Sequence, residues 1–219
     1  MLAASEAVGP SGSVRGVDIA PSLLSLASTR CANLSNVAIQ NADAQTAVLP
    51  TGHDIAISRF GVMFFSDTPA AFRNIAAALK PSGRIAMAAW GPAPENPYFM
   101  TAAKAVRETL GEMPKIDRTE PGPFAFEDAA RVRTFLTQAG LQNIEIDTVS
   151  CPLTPPGSLA DFAELALSIG PAAGGMAHFE ANQAHREQLR GALMDQFSDC
   201  QTPDGLRIPA QIHAITAKV

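Results

Sequence analysis

A chain of 219 residues that is 47% apolar and 17% charged can bury a core, and its composition excludes the charge-rich, apolar-poor class of disordered chains. A net charge of −5 without any Lys/Arg cluster argues against nucleic acid as a partner. The absence of an apolar run approaching the roughly 18 residues of a membrane span argues against a membrane partner.

Three cysteines, Cys31, Cys151 and Cys200, lie too far apart for Cys-x-x-Cys chemistry, and suggest reduced thiols and a cytoplasmic setting. Met1–Val8 is too short for a signal peptide. The expectation is a single α/β domain over 1–219, of the Rossmann-like doubly wound kind, with helical cap or insertion segments at 91–126 and 152–205.

Met1–Val8 reads as the end of a helix stopped by Gly9-Pro10. Ser13–Asp18 reads as a strand that ends on an acid, and Pro21 then opens a helix, where its missing N–H costs nothing. A strand that ends in Asp and turns into a helix is how doubly wound proteins hold a ribose at the carboxyl edge of the sheet. The same Asp could equally cap the helix. The helix carries Leu23, Leu24, Leu26, Ala27 and Leu34 at helical spacing through residue 34. Val37–Gln40 is a second short strand, and His53–Ser58, after the Pro50-Thr51-Gly52 turn, a third.

Asp67 caps the next helix, whose buried face is Phe72, Ile75, Ala76 and Leu79. Lys80-Pro81-Ser82-Gly83 ends it. Arg84–Trp90 is almost continuously apolar, as in a parallel strand covered on both faces. Beyond Trp90 come a rigid loop at Gly91–Pro97, a helix at Tyr98–Leu110, an ordered loop at Asp117–Phe124 and a helix at Glu127–Ala139. Asn143–Ser150 alternates like a strand near an edge. A Ser158-x-x-Asp161 box opens a helix to Ile169. Pro171–Met176 reads as small and flexible, His178–Ser198 as one long polar helix, and Leu206–Lys218 as a final strand that finishes the sheet antiparallel.

The series GSVRGVDIAPSLLSLA, NADAQTAVLP and HDIAISRFGVMFFSDTPAAFRNIAAALKPSGRIAMAAW resembles the class I S-adenosylmethionine-dependent methyltransferases, in the branch similar to the ubiquinone/menaquinone-biosynthesis C-methyltransferases. RVRTFLTQAGLQNIEI and TPDGLRIPAQIHAITA resemble the C-terminal half of that branch. The resemblance implies S-adenosyl-L-methionine as cofactor and a small molecule as acceptor. Asp18 would then take the ribose hydroxyls, and Ile19 would pack on the adenine. Asp43 would accept from the adenine amino group, with Ala44 and Gln45 completing that wall. Ser58, Arg59 and Phe60 would lie under the methionine part. Asp43 as a plain turn residue and Arg59 as a surface ion-pair partner are the rival readings.

Methyl transfer needs orientation and dryness more than a catalytic side chain, and neither a triad nor metal-ligand spacing is expected or found. The chain lacks an Asn-Pro-Pro-aromatic signature after the third strand, which tilts the resemblance toward carbon or oxygen acceptors. Met63, Trp90, Tyr98 and Phe99 are the candidate lining of an apolar or aromatic acceptor pocket, with core packing as the rival for each. His178 and His185, taken as seven apart on one helix, read as a solvated face.

Two other functions compete. A nicotinamide-dependent dehydrogenase would also use an acid after a strand, but Ala102 stands where the short-chain type needs a lysine, four residues after Tyr98. The second is a catalytically silent remnant or binding module. In relatives a strand and an Asp-x-Gly-x-Gly-x-Gly loop precede the equivalent of Leu2–Val8 and lie between the strands matching Ser13–Asp18 and His53–Ser58. Without them the expectation is a crippled methyltransferase that lacks measurable cofactor binding, with free strand edges through which it self-associates.

Overall fold

A computed structural model describes residues 1–115 and 117–219. The elements are α1 (Leu2–Val8), β1 (Val14–Asp18), α2 (Pro21–Cys31), β2 (Val37–Asn41), β3 (His53–Arg59), α3 (Thr68–Ala77), β4 (Leu79–Trp90), α4 (Pro97–Thr109), α5 (Ala129–Gln138), β5 (Gln142–Ser150), α6 (Leu159–Ala166), α7 (Gly170–His178), α8 (Gln183–Gln196), β6 (Gln201–Thr202), β7 (Gly205–Leu206) and β8 (Gln211–Lys218). The fold is Rossmann-like α/β. β1 and β2 pair in parallel, as do β3 and β4, and β8 enters antiparallel between β4 and β5.

The strands do not make one continuous sheet. β3-β4-β8-β5 form a four-stranded sheet, and β1-β2 stand apart as a two-stranded one. Each of β1 and β3 therefore has one edge with no strand partner among the described residues. Side-chain burial follows this division. Within residues 1–50 only Ser5, Leu24 and Cys31 are buried, and on β3 Ile55 and Ile57 remain 37% and 63% exposed. By contrast, Phe72 of α3, Ile85 and Met87 of β4, Val132 and Leu136 of α5, and Ile215 of β8 lock the four-stranded sheet against its helices. A second core joins α4, α6, α7 and α8 through Val106, Phe162, Ala166, Ala172, Leu189 and Leu193.

Capping side chains explain several helix starts. Asp67 accepts from the N–H of Ala70, Asp128 from Ala130 and Arg131, and Ser158 forms the expected capping box with Asp161, each satisfying N–H groups that a first turn leaves free. Elsewhere the sequence reading is corrected. Leu79 continues the apolar period of α3, yet it begins β4, because His53 pairs with Leu79 before the register jumps to Ile55 and Arg84. Pro171–Met176 is helical as part of α7. Its small residues let it approach α4, where a Cβ on Gly175 would sit 2.5 Å from Val106. The long helix from His178 is two helices: His178 ends α7, and α8 starts after Asn182, whose side chain accepts from the His185 N–H. The final strand starts at Gln211, since Leu206 belongs to the β6–β7 hairpin and Ile208 bridges to Leu153.

Candidate active site

β1 and β2 end flush, Asp18 facing Asn41 across the ladder, and the N–H of Ala42 donates to the Asp18 carbonyl at 3.0 Å. Asp18 thus ends β1 beside Asn41, and Asp43 follows two residues later at the same carboxyl end of the β1-β2 pair. One carboxylate oxygen of Asp18 accepts the Ala20 N–H at 2.8 Å; the other has no protein partner among the described residues. Ile19, in the strand-to-helix turn, is 69% exposed. Asp43 holds its own turn, taking the Gln45 N–H at 2.8 Å and the Thr46 hydroxyl at 3.4 Å. The turn reading of Asp43 therefore holds, and its carboxylate keeps accepting capacity, since each oxygen can accept more than one hydrogen bond.

This turn is tied to the segment that follows β3. The Gln45 side-chain oxygen accepts from the Ser66 hydroxyl at 3.1 Å and the Asp67 N–H at 3.0 Å. Asn74 of α3 donates to the carbonyls of Ala44 at 2.9 Å and Ala47 at 2.8 Å. These bonds tie the loop that follows β2 to the segment that follows β3 and to α3, although β1 and β3 are not paired. They also commit the Gln45 amide oxygen and the Ala44 carbonyl to holding the loop. Ser58 is half-buried and Arg59 exposed. No ion pair among the described residues involves Arg59.

Past β3 the chain turns at Phe60, whose N–H donates to Ala88 at 2.9 Å. The Phe60 ring stacks on Trp90 at 4.4 Å between centroids. Phe99 meets Trp90 edge-on at 5.0 Å, and Tyr98 and Phe124 meet Phe99 edge-on at 4.9 and 4.8 Å. Trp90 and Tyr98 are half-buried, and Phe99 is 8% exposed. Burial pushes the Tyr98 phenol above its usual pKa, and its hydroxyl donates to the Ile169 carbonyl at 3.3 Å, joining α4 to the start of α7. Met63 is corrected: at 1% exposure it lies in the core, where its sulfur accepts the Trp90 N–H. It supports Trp90 from within and does not line a pocket.

Three buried or half-buried polar side chains that hold this edge were missed in the sequence. Besides Asn74, Asn96 is fully buried, donating to the Pro92 carbonyl at 2.9 Å and accepting the Gln211 N–H at 3.1 Å, which pins the loop after β4 to β8. His213, 2% exposed, bridges the Thr148 hydroxyl at 3.0 Å and the Glu127 carbonyl at 3.1 Å. The Glu127 carboxylate accepts the Ala93 N–H at 3.0 Å. The only signal for Asn74 and Asn96 was an isolated amide beside apolar residues. Among the described residues no group of three or more His, Cys, Asp or Glu side chains is placed to hold a metal.

Comparison with known proteins matches residues 1–83 to a methyltransferase domain family. The chain is similar to the demethylmenaquinone methyltransferase of Staphylococcus carnosus (strain TM300), 26% identical over 155 residues that make up 66% of this chain and 64% of that protein. It is also similar to the nocamycin O-methyltransferase of Saccharothrix syringae, 32% identical over 97 residues, 43% of this chain and 34% of that protein. It thus spans less than two thirds of the length of either relative. Among solved structures, Haemonchus contortus phosphoethanolamine N-methyltransferase 2, in complex with phosphomonomethylethanolamine and S-adenosylhomocysteine, has the same fold. The TM-score is 0.52 at 17% identity, covering 94% of this chain and 44% of that one.

Proposed function

We propose that this chain, which belongs to the class I S-adenosylmethionine-dependent methyltransferases, binds S-adenosyl-L-methionine at the edge shared by Asp18, Asp43 and Ser58–Phe60 and directs its methyl group to a small apolar or aromatic acceptor, at carbon or oxygen. The observation that supports this reading is the flush ending of β1 and β2, which sets Asp18 beside Asn41, two residues before Asp43, at the carboxyl ends of parallel strands, where such folds present ligands. The residues fit the nucleoside: Asp18 keeps an oxygen free for ribose hydroxyls, Asp43 has accepting capacity left for an exocyclic amine, and Ile19 offers an exposed apolar surface for a base.

Bound S-adenosylmethionine supplies an electrophilic methyl group on a sulfonium. The chain contributes position and dryness. Asp18 and Asp43 fix the nucleoside, Ser58–Phe60 form the floor beside it, and Trp90, Tyr98 and Phe99 give the acceptor a side that excludes water. In an in-line displacement such placement lowers the barrier without a side chain that reacts, and the reading assigns no catalytic residue. α4 and α6–α8, with their own core, act as the cap. The free edges of β1 and β3 are the surfaces through which a second chain would pair.

Carbon or oxygen as acceptor is favoured by Ser58-Arg59-Phe60-Gly61 standing where N-methylating enzymes resemble one another in carrying Asn-Pro-Pro-aromatic. The relative named as an O-methyltransferase points the same way. Incubating the protein with methyl-labelled S-adenosylmethionine and a mixed set of phenols and primary amines is expected to label phenol-derived products on carbon or oxygen. Label confined to the amines would overturn the acceptor assignment.

A further inference from the structure

Asp18 and Asp43 belong to a segment that few groups hold to the rest of the molecule. Its two strands pair only with each other. Among the described residues, every hydrogen bond that joins residues 1–50 to residues 53–219 involves Gln45 or Asn74, and no ion pair joins them. Asn74 makes the shorter bonds of this latch. Its half-buried side-chain amide has two N–H donors. The nitrogen donates to the Ala44 carbonyl at 2.9 Å and to the Ala47 carbonyl at 2.8 Å. Those carbonyls belong to the turn that Asp43 opens, whose main-chain carbonyl accepts from Thr46 at 3.2 Å and from Ala47 at 2.8 Å.

The other end of the latch is rigid. Ala71 and Phe72 of α3 are fully buried, and Phe72 lies in the core of the four-stranded sheet. Asparagine is a weak helix former, because its side chain competes for backbone partners. Inside α3 it gives up helix propensity and takes its partners from the Asp43 turn instead. We infer that Asn74 is a positioning residue for base recognition. By fixing the Ala44 and Ala47 carbonyls to α3, it sets where the Asp43 carboxylate meets an exocyclic amine, and so selects adenine over a base that lacks the amine. The inference rests on the methyl-transfer reading and assigns base selectivity to a residue that touches no ligand. With Asn74 released, Gln45 still tethers the segment through Ser66 and Asp67. The loss therefore falls on the contact at the freed turn, the amine at Asp43, more than on the ribose at Asp18.

The full chain is titrated by calorimetry with S-adenosylhomocysteine and with its 6-desamino analogue, in which hydrogen replaces the adenine amino group. Wild type is expected to prefer S-adenosylhomocysteine roughly ten- to a hundredfold, the range for a hydrogen bond to a charged group. Asn74→Asp keeps the side-chain shape but turns donors into acceptors facing two carbonyls. In it S-adenosylhomocysteine is expected to weaken roughly tenfold while the analogue stays within about twofold, so most of the preference goes. Asn74→Ala, where water can serve the carbonyls, falls between the two and carries the test should Asn74→Asp misfold. Amide exchange in the free protein is expected to quicken at Thr46 and Ala47 in both variants and to stay unchanged at β4 and β8. Arg73→Ala, at the exposed neighbouring position of α3, is expected to leave both affinities at wild-type values. Equal affinity of wild type for the two ligands, equal weakening of both in the Asn74 variants, unchanged exchange at Thr46 and Ala47, or the same loss in Arg73→Ala would overturn the inference. If the preference is present in wild type and survives in both Asn74 variants, this inference falls alone. If wild type does not bind S-adenosylhomocysteine, the methyl-transfer reading falls, and the base selectivity assigned to Asn74 falls with it.

Discussion

Asp18→Ala is expected to weaken S-adenosylhomocysteine binding by about 1.5–3 kcal/mol, roughly ten- to a hundredfold, the range for hydrogen bonds to a charged group. The carboxylate has a structural duty as well, since one oxygen accepts the Ala20 N–H at the start of α2. Asp18→Asn separates the two. The amide keeps an acceptor for Ala20 while losing the charge and half the accepting capacity, so stability is expected to stay near wild type and affinity to fall. Calorimetry of both variants, with thermal unfolding alongside, checks this. An Asp18→Ala protein that folds normally and binds as well as wild type would remove Asp18 from the site.

The second large effect concerns the N-terminal segment that carries the two acids. Only three of the first 50 residues are buried, and β1-β2 form a two-stranded sheet that is not hydrogen-bonded to β3. An isolated pair of strands is marginal in water, and regions with few buried apolar contacts open locally at a fraction of the global cost. Hydrogen exchange is therefore expected to be fast at β1 and β2 and slow at β4 and β8. S-adenosylhomocysteine, by bridging Asp18 and Asp43 to Ser58–Phe60, is expected to slow exchange most at β1 and β2, since a ligand stabilises whatever it binds in the closed form. Protection of β1 and β2 equal to that of β4 in the free protein would contradict the division of the sheet.

Much of this was legible where a local interaction writes the structure. Asp67, Asp128 and Ser158 each cap a helix through atoms two or three residues away, and the Val14–Asp18 strand followed by Pro21 marks the first turn of the site. Legibility fails where the deciding contact is distant. Nothing near Pro171–Met176 predicts a helix; it forms because Gly175 lets α7 lie against Val106. Leu79 keeps the helical period by coincidence, and strand pairing with His53 decides otherwise. Asn74 and Asn96 each serve a partner far along the chain, at Ala44 and at Gln211, so no pattern around them shows their role. Met63 shares its surroundings in sequence with exposed Phe64, and burial alone separates them.

The expected loss of cofactor binding and the proposed nucleoside edge make opposite predictions. Titration of the isotopically labelled chain with S-adenosylhomocysteine, followed by backbone amide resonances, decides the matter most directly. Saturable shifts are expected, centred on Asp18–Ala20, Asp43–Gln45 and Ser58–Phe60, three segments distant in sequence that move with one dissociation constant. Absence of any saturable shift, or shifts confined to another surface such as the groove between the start of α3 and Arg131, would contradict it.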